Sequence, residues 1–243
     1  MSAQCNKILK TLKSQYNAKN AAEMAHFGIN SKNVLGISMP YLKKFAKKIK
    51  KEAKTNKNGA EYRHKLAQEL WDSEIFEARS LAVLIDEIKL VDEKQMECWV
   101  NDFDSWGICD QTCGYLFDKK EIAWQKAVEW SAQKEEFVKR AGFVLMATLA
   151  VHDKKTDDTA FLKFLPIIAR ESTDARNFVK KAVNWALRQI GKRNAALNKK
   201  AIETAKDILK IDSKSSCWIA KDAIKELEKH AVRKFSNDAC NNK

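Results

Sequence analysis

The sequence predicts an all-α protein, an α-solenoid of tandem helical hairpins. Three observations carry that prediction. Glycine (7) and proline (2) are too scarce over 243 residues for strands separated by turns, whereas helices need little such punctuation. Apolar residues recur at helical spacing through most of the chain. From about residue 58 onward, helices of roughly ten to twenty residues follow one another with short connections, as in stacked hairpins rather than a closed bundle.

Taken in order, the expected helices span 3–17, 19–27, 39–54, 59–72, 74–89, 92–103, 105–117, 121–132, 134–151, 157–170, 174–192, 195–210 and 214–235. Pro40 falls where a first helical turn accepts it, with Ser38 as the cap before it. Asp72-Ser73 and Asp153 mark breaks or caps. No low-complexity linker divides the chain, so one domain is expected over 1–235, followed by a frayed, disordered tail over 236–243.

Composition narrows the classes of function. The chain is 45% hydrophobic and 32% charged, and no apolar run is long enough to cross a bilayer. The first twenty residues lack the apolar core of a secretory signal, and a cytoplasmic protein is expected. A formal charge of +13, from 45 basic and 32 acidic residues, fits a polyanionic partner, either nucleic acid or an anionic surface. The six cysteines (Cys5, Cys98, Cys109, Cys113, Cys217, Cys240) include no CxxC pair. The four histidines are far apart, and no zinc spacing appears. No metal or cofactor is expected, and the cysteines read as reduced packing thiols. Phosphate-binding glycine loops, a GxSxG elbow and HExxH are all absent.

The segment from Asn177 to Asn194 reads as one helix with two different faces. Val179, Val183, Ala186 and Ile190 form an apolar stripe that should face a core. Lys181, Trp185, Arg188 and Lys192 lie on roughly the opposite side. Cations above and below a tryptophan suit an anionic, ring-bearing partner such as nucleic acid; a charged face with its aromatic covered by a neighbouring helix is the plainer alternative. Residues 41–57 carry eight lysines, Lys43 and Lys44 among them, beside an apolar face of Leu42, Phe45 and Ile49. They suit either phosphate contact or a solvated helix face.

Two further stretches could carry chemistry. In the segment 102–118, Trp106 and Asp110 are four residues apart and share a helix face, with Asp104-Ser105 as the cap and Gly107 leaving the first turn open. A carboxylate beside an aromatic wall can stabilise a developing positive charge; a core tryptophan with an ordinary surface aspartate is the alternative. In 137–151, Phe137, Ala141, Val144, Leu145 and Thr148 make a buried central helix. Arg140 within it needs a partner or a water-facing cleft; a carboxylate or phosphate would serve, and a structural ion pair, with Asp110 for instance, is the plainer alternative.

Six segments together resemble the HEAT-like-repeat alkylpurine DNA glycosylases, the bacterial DNA alkylation repair enzymes of the AlkD type. They are MAHF at 24–27, LGIxxP at 35–40, QELWD at 68–72, WxxxD at 106–110, KRA at 139–141 and KKAVNWALR at 180–188. The resemblance runs from about Met24 into the helix after Gly191. It implies a HEAT-like solenoid whose concave basic cleft holds duplex DNA through its backbone. It also implies hydrolytic removal of cationic N3- or N7-alkylated purines, without flipping of the base. Asp110 matches the family's catalytic aspartate, which stabilises oxocarbenium character on the sugar. Trp106 and Trp185 match the tryptophans that pack on the damaged nucleotide, and Arg140 the arginine that completes the cleft. Lys181, Arg188 and Lys192, with Phe27, Lys43 and Lys44, would contact DNA.

Two positions depart from the pattern. Phe27 stands where tyrosine is frequent, and Ser105 where well-known members carry another tryptophan. The expected protein is thus a monomeric DNA repair glycosylase acting on alkylated duplex DNA. The rivals are a non-catalytic relative that recognises branched or damaged DNA, and a scaffold that binds an acidic protein surface.

Overall fold

The computed structural model describes residues 1–29, 33–55 and 57–241, with side chains as far as Ala231. The side chains of the tail expected to fray from residue 236 lie outside this set, as does Cys240. The described residues are helical and contain no strand. They form two compact units, Met1–Lys120 and Glu121–Lys243.

The first unit contains α1 (Ala3–Lys13), α2 (Ala18–His26), α3 (Met39–Ala53), α4 (Gly59–Trp71), α5 (Phe76–Ile85), α6 (Glu93–Asn101) and α7 (Trp106–Tyr115), then a 3-10 turn at Phe117–Lys119. Helix α5 is its axis. Every residue of α5 except Leu84 is buried, and α3, α4 and α7 pack around it. A helix apolar on all sides is a core helix, so the polar groups it carries need partners inside the protein. Arg79 finds them in the carbonyls of Trp71 and Asp102, at 3.2 and 3.1 Å. Beside it, Trp71 and Trp99 stack with centroids 3.9 Å apart and planes 2° from parallel. The QELWD segment therefore holds a buried tryptophan, Trp71, whose Nε1 donates to Asp102 at 2.8 Å.

The second unit contains α8 (Ala123–Ser131), α9 (Glu136–His152), α10 (Asp158–Leu162), α11 (Phe164–Arg170), a 3-10 turn at Glu171–Thr173, α12 (Asn177–Gly191), α13 (Ala195–Leu209) and α14 (Lys214–Asn241). Helix α9 is the central element, packed between α8 and α12. Of the expected core residues, Ala141, Val144 and Leu145 are fully buried and Thr148 buried, but Phe137, in the first turn, is only half-buried. Gly142 lets α8 approach, since a Cβ there would lie 2.3 Å from the Ser131 nitrogen.

Several sequence-based expectations need correction. The single helix expected over 157–170 is two short ones. The ring of Pro166 conflicts with the carbonyl four residues earlier, on Leu162, and α10 stops at that residue. Ser38 and Ser105 occupy the N-cap positions of α3 and α7, but neither side chain makes a capping hydrogen bond. The Ser105 hydroxyl is buried without a partner among the described residues. The first helix ends at Lys13 instead of residue 17, and α5 begins at Phe76, two residues later than expected. Asp153 does end α9, its carboxylate accepting from the Lys155 and Thr156 amides.

Candidate nucleic-acid interface

In the first unit, three segments converge on a cavity of about 680 Å³. One wall is α7, which presents Trp106 and Asp110 from successive turns, as the four-residue spacing requires, with Gln111 beside Asp110. The end of α2 supplies Met24 and Phe27, and the segment before α3 supplies Gly36, Ile37 and Ser38.

The end of α2 owes its shape to Gly28, whose φ of 83° lies in the left-handed region. The Ile29 amide donates to the Met24 carbonyl (2.9 Å) and the Gly28 amide to that of Ala25 (2.9 Å), the paired bonds of a Schellman terminator. This closure leaves the Phe27 ring 68% exposed at the mouth of the cavity, edge-on to His26. It also leaves the Phe27 carbonyl free to accept from Trp106 Nε1 at 2.9 Å. The indole is thereby fixed across 79 residues of sequence. Gly107 is not the open turn the sequence suggested. A Cβ there would meet Ile29 at 3.0 Å and Phe76 at 3.1 Å, so the close approach is by the protein's own side chains.

The third wall hangs on a residue to which the sequence gives no prominence. Glu77, fully buried on α5, accepts from three consecutive amides: Leu35 (2.8 Å), Gly36 (2.7 Å) and Ile37 (3.2 Å). Burial pushes its carboxyl above the ordinary carboxylate value, although those donors pull the other way. The LGI part of the LGIxxP segment is therefore a carboxylate cradle. The lysines of α3 follow at once. Lys43 and Lys44 are exposed, and Lys43 lies over the Tyr115 ring of α7, 5.1 Å from its centroid. Of the expected apolar face, Leu42 and Ile49 are buried beneath them, whereas Phe45 is only half-buried.

In the second unit, Val179, Val183, Ala186 and Ile190 of α12 are all fully buried. The opposite side is less open than expected, because α14 packs against α12. Lys181 is exposed and Trp185 half-buried, but Arg188 and Lys192 both form ion pairs with Glu226 of α14. Arg188 is also 3.7 Å from Asp222, which accepts from Asn184 at 2.9 Å. Burial alone would raise the Glu226 carboxyl; the two cations hold it below its usual value. Arg140 is buried as expected, and one guanidinium nitrogen donates to the Phe178 carbonyl at 2.5 Å. Its neighbour Lys139 is held by Glu171 (2.6 Å) and Asp174 (3.6 Å).

Among the described residues no group of His, Cys, Asp or Glu could hold a metal ion, and no helix is long and apolar enough to cross a membrane. The fold class that emerges is an all-helical repeat protein. It is similar to a solved structure described as a member of "a new family of proteins related to the HEAT-like repeat DNA glycosylases with affinity for branched DNA structures". That match has 21% identity and a TM-score of 0.68, and covers 89% of this chain and 92% of the other. An engineered protein also matches, at 14% identity and a TM-score of 0.41, over 79% of this chain and 94% of its own. No curated protein matches the chain. The profile of the DNA alkylation repair enzymes matches residues 8–227, and the chain belongs to that family.

Proposed function

We propose that this protein is a DNA glycosylase that hydrolyses the N-glycosidic bond of cationic N3- or N7-alkylated purines in duplex DNA, without flipping the base. The observation that carries the reading is the Trp106–Asp110 pair. Both residues open onto one cavity, and the indole is fixed by its bond to the Phe27 carbonyl. Membership of the DNA alkylation repair enzymes supports the same reading.

The chemistry asks little of the protein. An alkylated purine already carries positive charge and leaves as a neutral base, taking the glycosidic electron pair, so no general acid is needed. Positive charge then builds on the sugar ring. A fixed carboxylate at Asp110 and the electron-rich face of Trp106 stabilise it. Water bonds to C1′ and its proton passes to solvent. In the second unit, Trp185, Arg140 and Lys181 are assigned to the DNA strand on the family resemblance. Arg188 and Lys192 are weaker candidates because Glu226 already engages both.

The test is release of N7-methylguanine and N3-methyladenine from methylated duplex DNA by wild type and Asp110→Asn. Loss of one preorganised electrostatic group lowers such rates about 10²–10³-fold; DNA affinity should change little. An Asp110→Asn protein with wild-type excision would refute the assigned mechanism. A second reading, a non-catalytic binder of branched DNA, is favoured by the affinity named for the structural relative. Binding without any release by wild type would select it.

A further inference from the structure

We propose that Glu77 is a positioning residue for the cavity of the first unit, holding the wall that faces Trp106 and Asp110. The inference rests on the glycosylase reading of that cavity. Glu77 touches neither of those residues through any described hydrogen bond; it acts through the backbone of 35–37.

The segment 33–38 has no regular structure of its own, yet it is tied on both sides. Its amides at Leu35, Gly36 and Ile37 all donate to the Glu77 carboxylate. Its carbonyls turn the other way. The Leu35 carbonyl accepts from the Asn17 amide (2.8 Å) and that of Gly36 from Asn20 Nδ2 (3.1 Å), both at the start of α2. Gly36 makes this possible. Its φ is +73°, and a Cβ there would lie 2.3 Å from the Asn17 carbonyl oxygen. One buried carboxylate thus joins α5, the segment before α3 and, through that segment, the helix that Phe27 caps. Two of these elements are cavity walls, and the third wall, α7, packs on α5.

A structural role alone could be met by apolar packing. Three amides converging on one charge instead fix the segment to within hydrogen-bond tolerance, which is what a site that must hold a sugar against Asp110 requires. The conformation is also vulnerable to a subtle change. Both Glu77 oxygens accept from N–H donors, so Glu77→Gln must aim an amide NH2 at one of them whichever way it turns.

The experiment compares wild type and Glu77→Gln in three ways: amide hydrogen exchange, affinity for methylated duplex DNA, and single-turnover release of N7-methylguanine at saturating enzyme. In the variant, protection of the Leu35, Gly36 and Ile37 amides and the excision rate should each fall at least about tenfold, while the DNA Kd stays within about threefold. Protection of Leu81 and Ala82 in α5 should be unchanged. Uniform loss of protection through α5 would make the role merely structural and overturn the proposal. Full excision by a variant with a loosened 35–37 segment would overturn it too. If Glu77→Gln does not fold, Glu77→Asp, which withdraws the charge by one methylene, carries the same readouts and limits. A wild type that releases no base would overturn the glycosylase reading and this one together; active wild type with an equally active variant would overturn this one alone.

Discussion

Lys181 and Lys192 lie on the same helix, eleven residues apart, and their chemical identity suggests equal roles on DNA. The structure makes them unequal. Lys181 is exposed and has no ion pair among the described residues, so its charge is available to a phosphate. Lys192 is paired with Glu226, and that carboxylate, with Asp222, also faces Arg188. Two cations therefore meet two carboxylates, and the group carries no net charge. Each phosphate neutralised on duplex DNA contributes about 0.9 to the slope of log K against log salt. At roughly 0.15 M salt, loss of one such contact lowers affinity about fivefold. Lys181→Ala should therefore weaken duplex binding about fivefold and reduce the slope by about 0.9, and Lys192→Ala should cost less than about twofold. Fluorescence anisotropy with one labelled duplex, titrated across a salt series, measures both quantities. Equal slope changes for the two variants would mean that the Glu226 pairs open on DNA, and would refute the reasoning.

Packing and acid stability offer two further checks. Gly191 ends α12 where a Cβ would lie 2.6 Å from Leu227 and 2.9 Å from Ala201; Gly191→Ala should destabilise by about 1–3 kcal/mol, and an unchanged Tm would contradict the packing. Glu171 and Asp174 are partly buried, which alone would raise them, but Lys139 and Arg170 hold the first, and Arg176 and Lys139 the second, below the ordinary carboxylate range. Their stabilisation is full above the unfolded carboxylate values near about 4 and is lost as pH falls through the lower folded ones. Asp174→Asn should accordingly remove about 1 kcal/mol at neutral pH and flatten the acid limb of the Tm–pH curve. A parallel downward shift at every pH would count against this.

What could be seen in the sequence was what one helix encodes by itself. The apolar stripe of α12 and the burial of α9 follow from spacing, and the shared face of Trp106 and Asp110 needs only the geometry of a single helix. What could not be seen depends on partners far away in the chain. Glu77 meets amides some forty residues earlier, and nothing in FEARSLAVLI distinguishes it from a surface glutamate except its place in an otherwise apolar run. That was the available signal. The ion pairs of Arg188 and Lys192 likewise depend on α14, whose carboxylates come more than thirty residues later. Gly28 was legible in principle, because glycine directly after a helical segment is a terminator signature, and it accounts for the exposed ring of Phe27.

The sulfur chemistry beneath α7 has one more consequence. Cys109 and Cys113 lie on the helix that bears Asp110, and both are fully buried. Burial, followed by the neighbouring Cys109, pushes the Cys113 thiol well above its usual value. Thiolates are the groups that electrophiles attack first. The reagents that methylate purines are themselves electrophiles, and here the thiols on the helix of the proposed chemistry are both enclosed. Cys98, on α6, is the exposed thiol among the described residues. A methylating agent that damages DNA would thus modify this protein at its periphery while the helix that carries Asp110 stays intact.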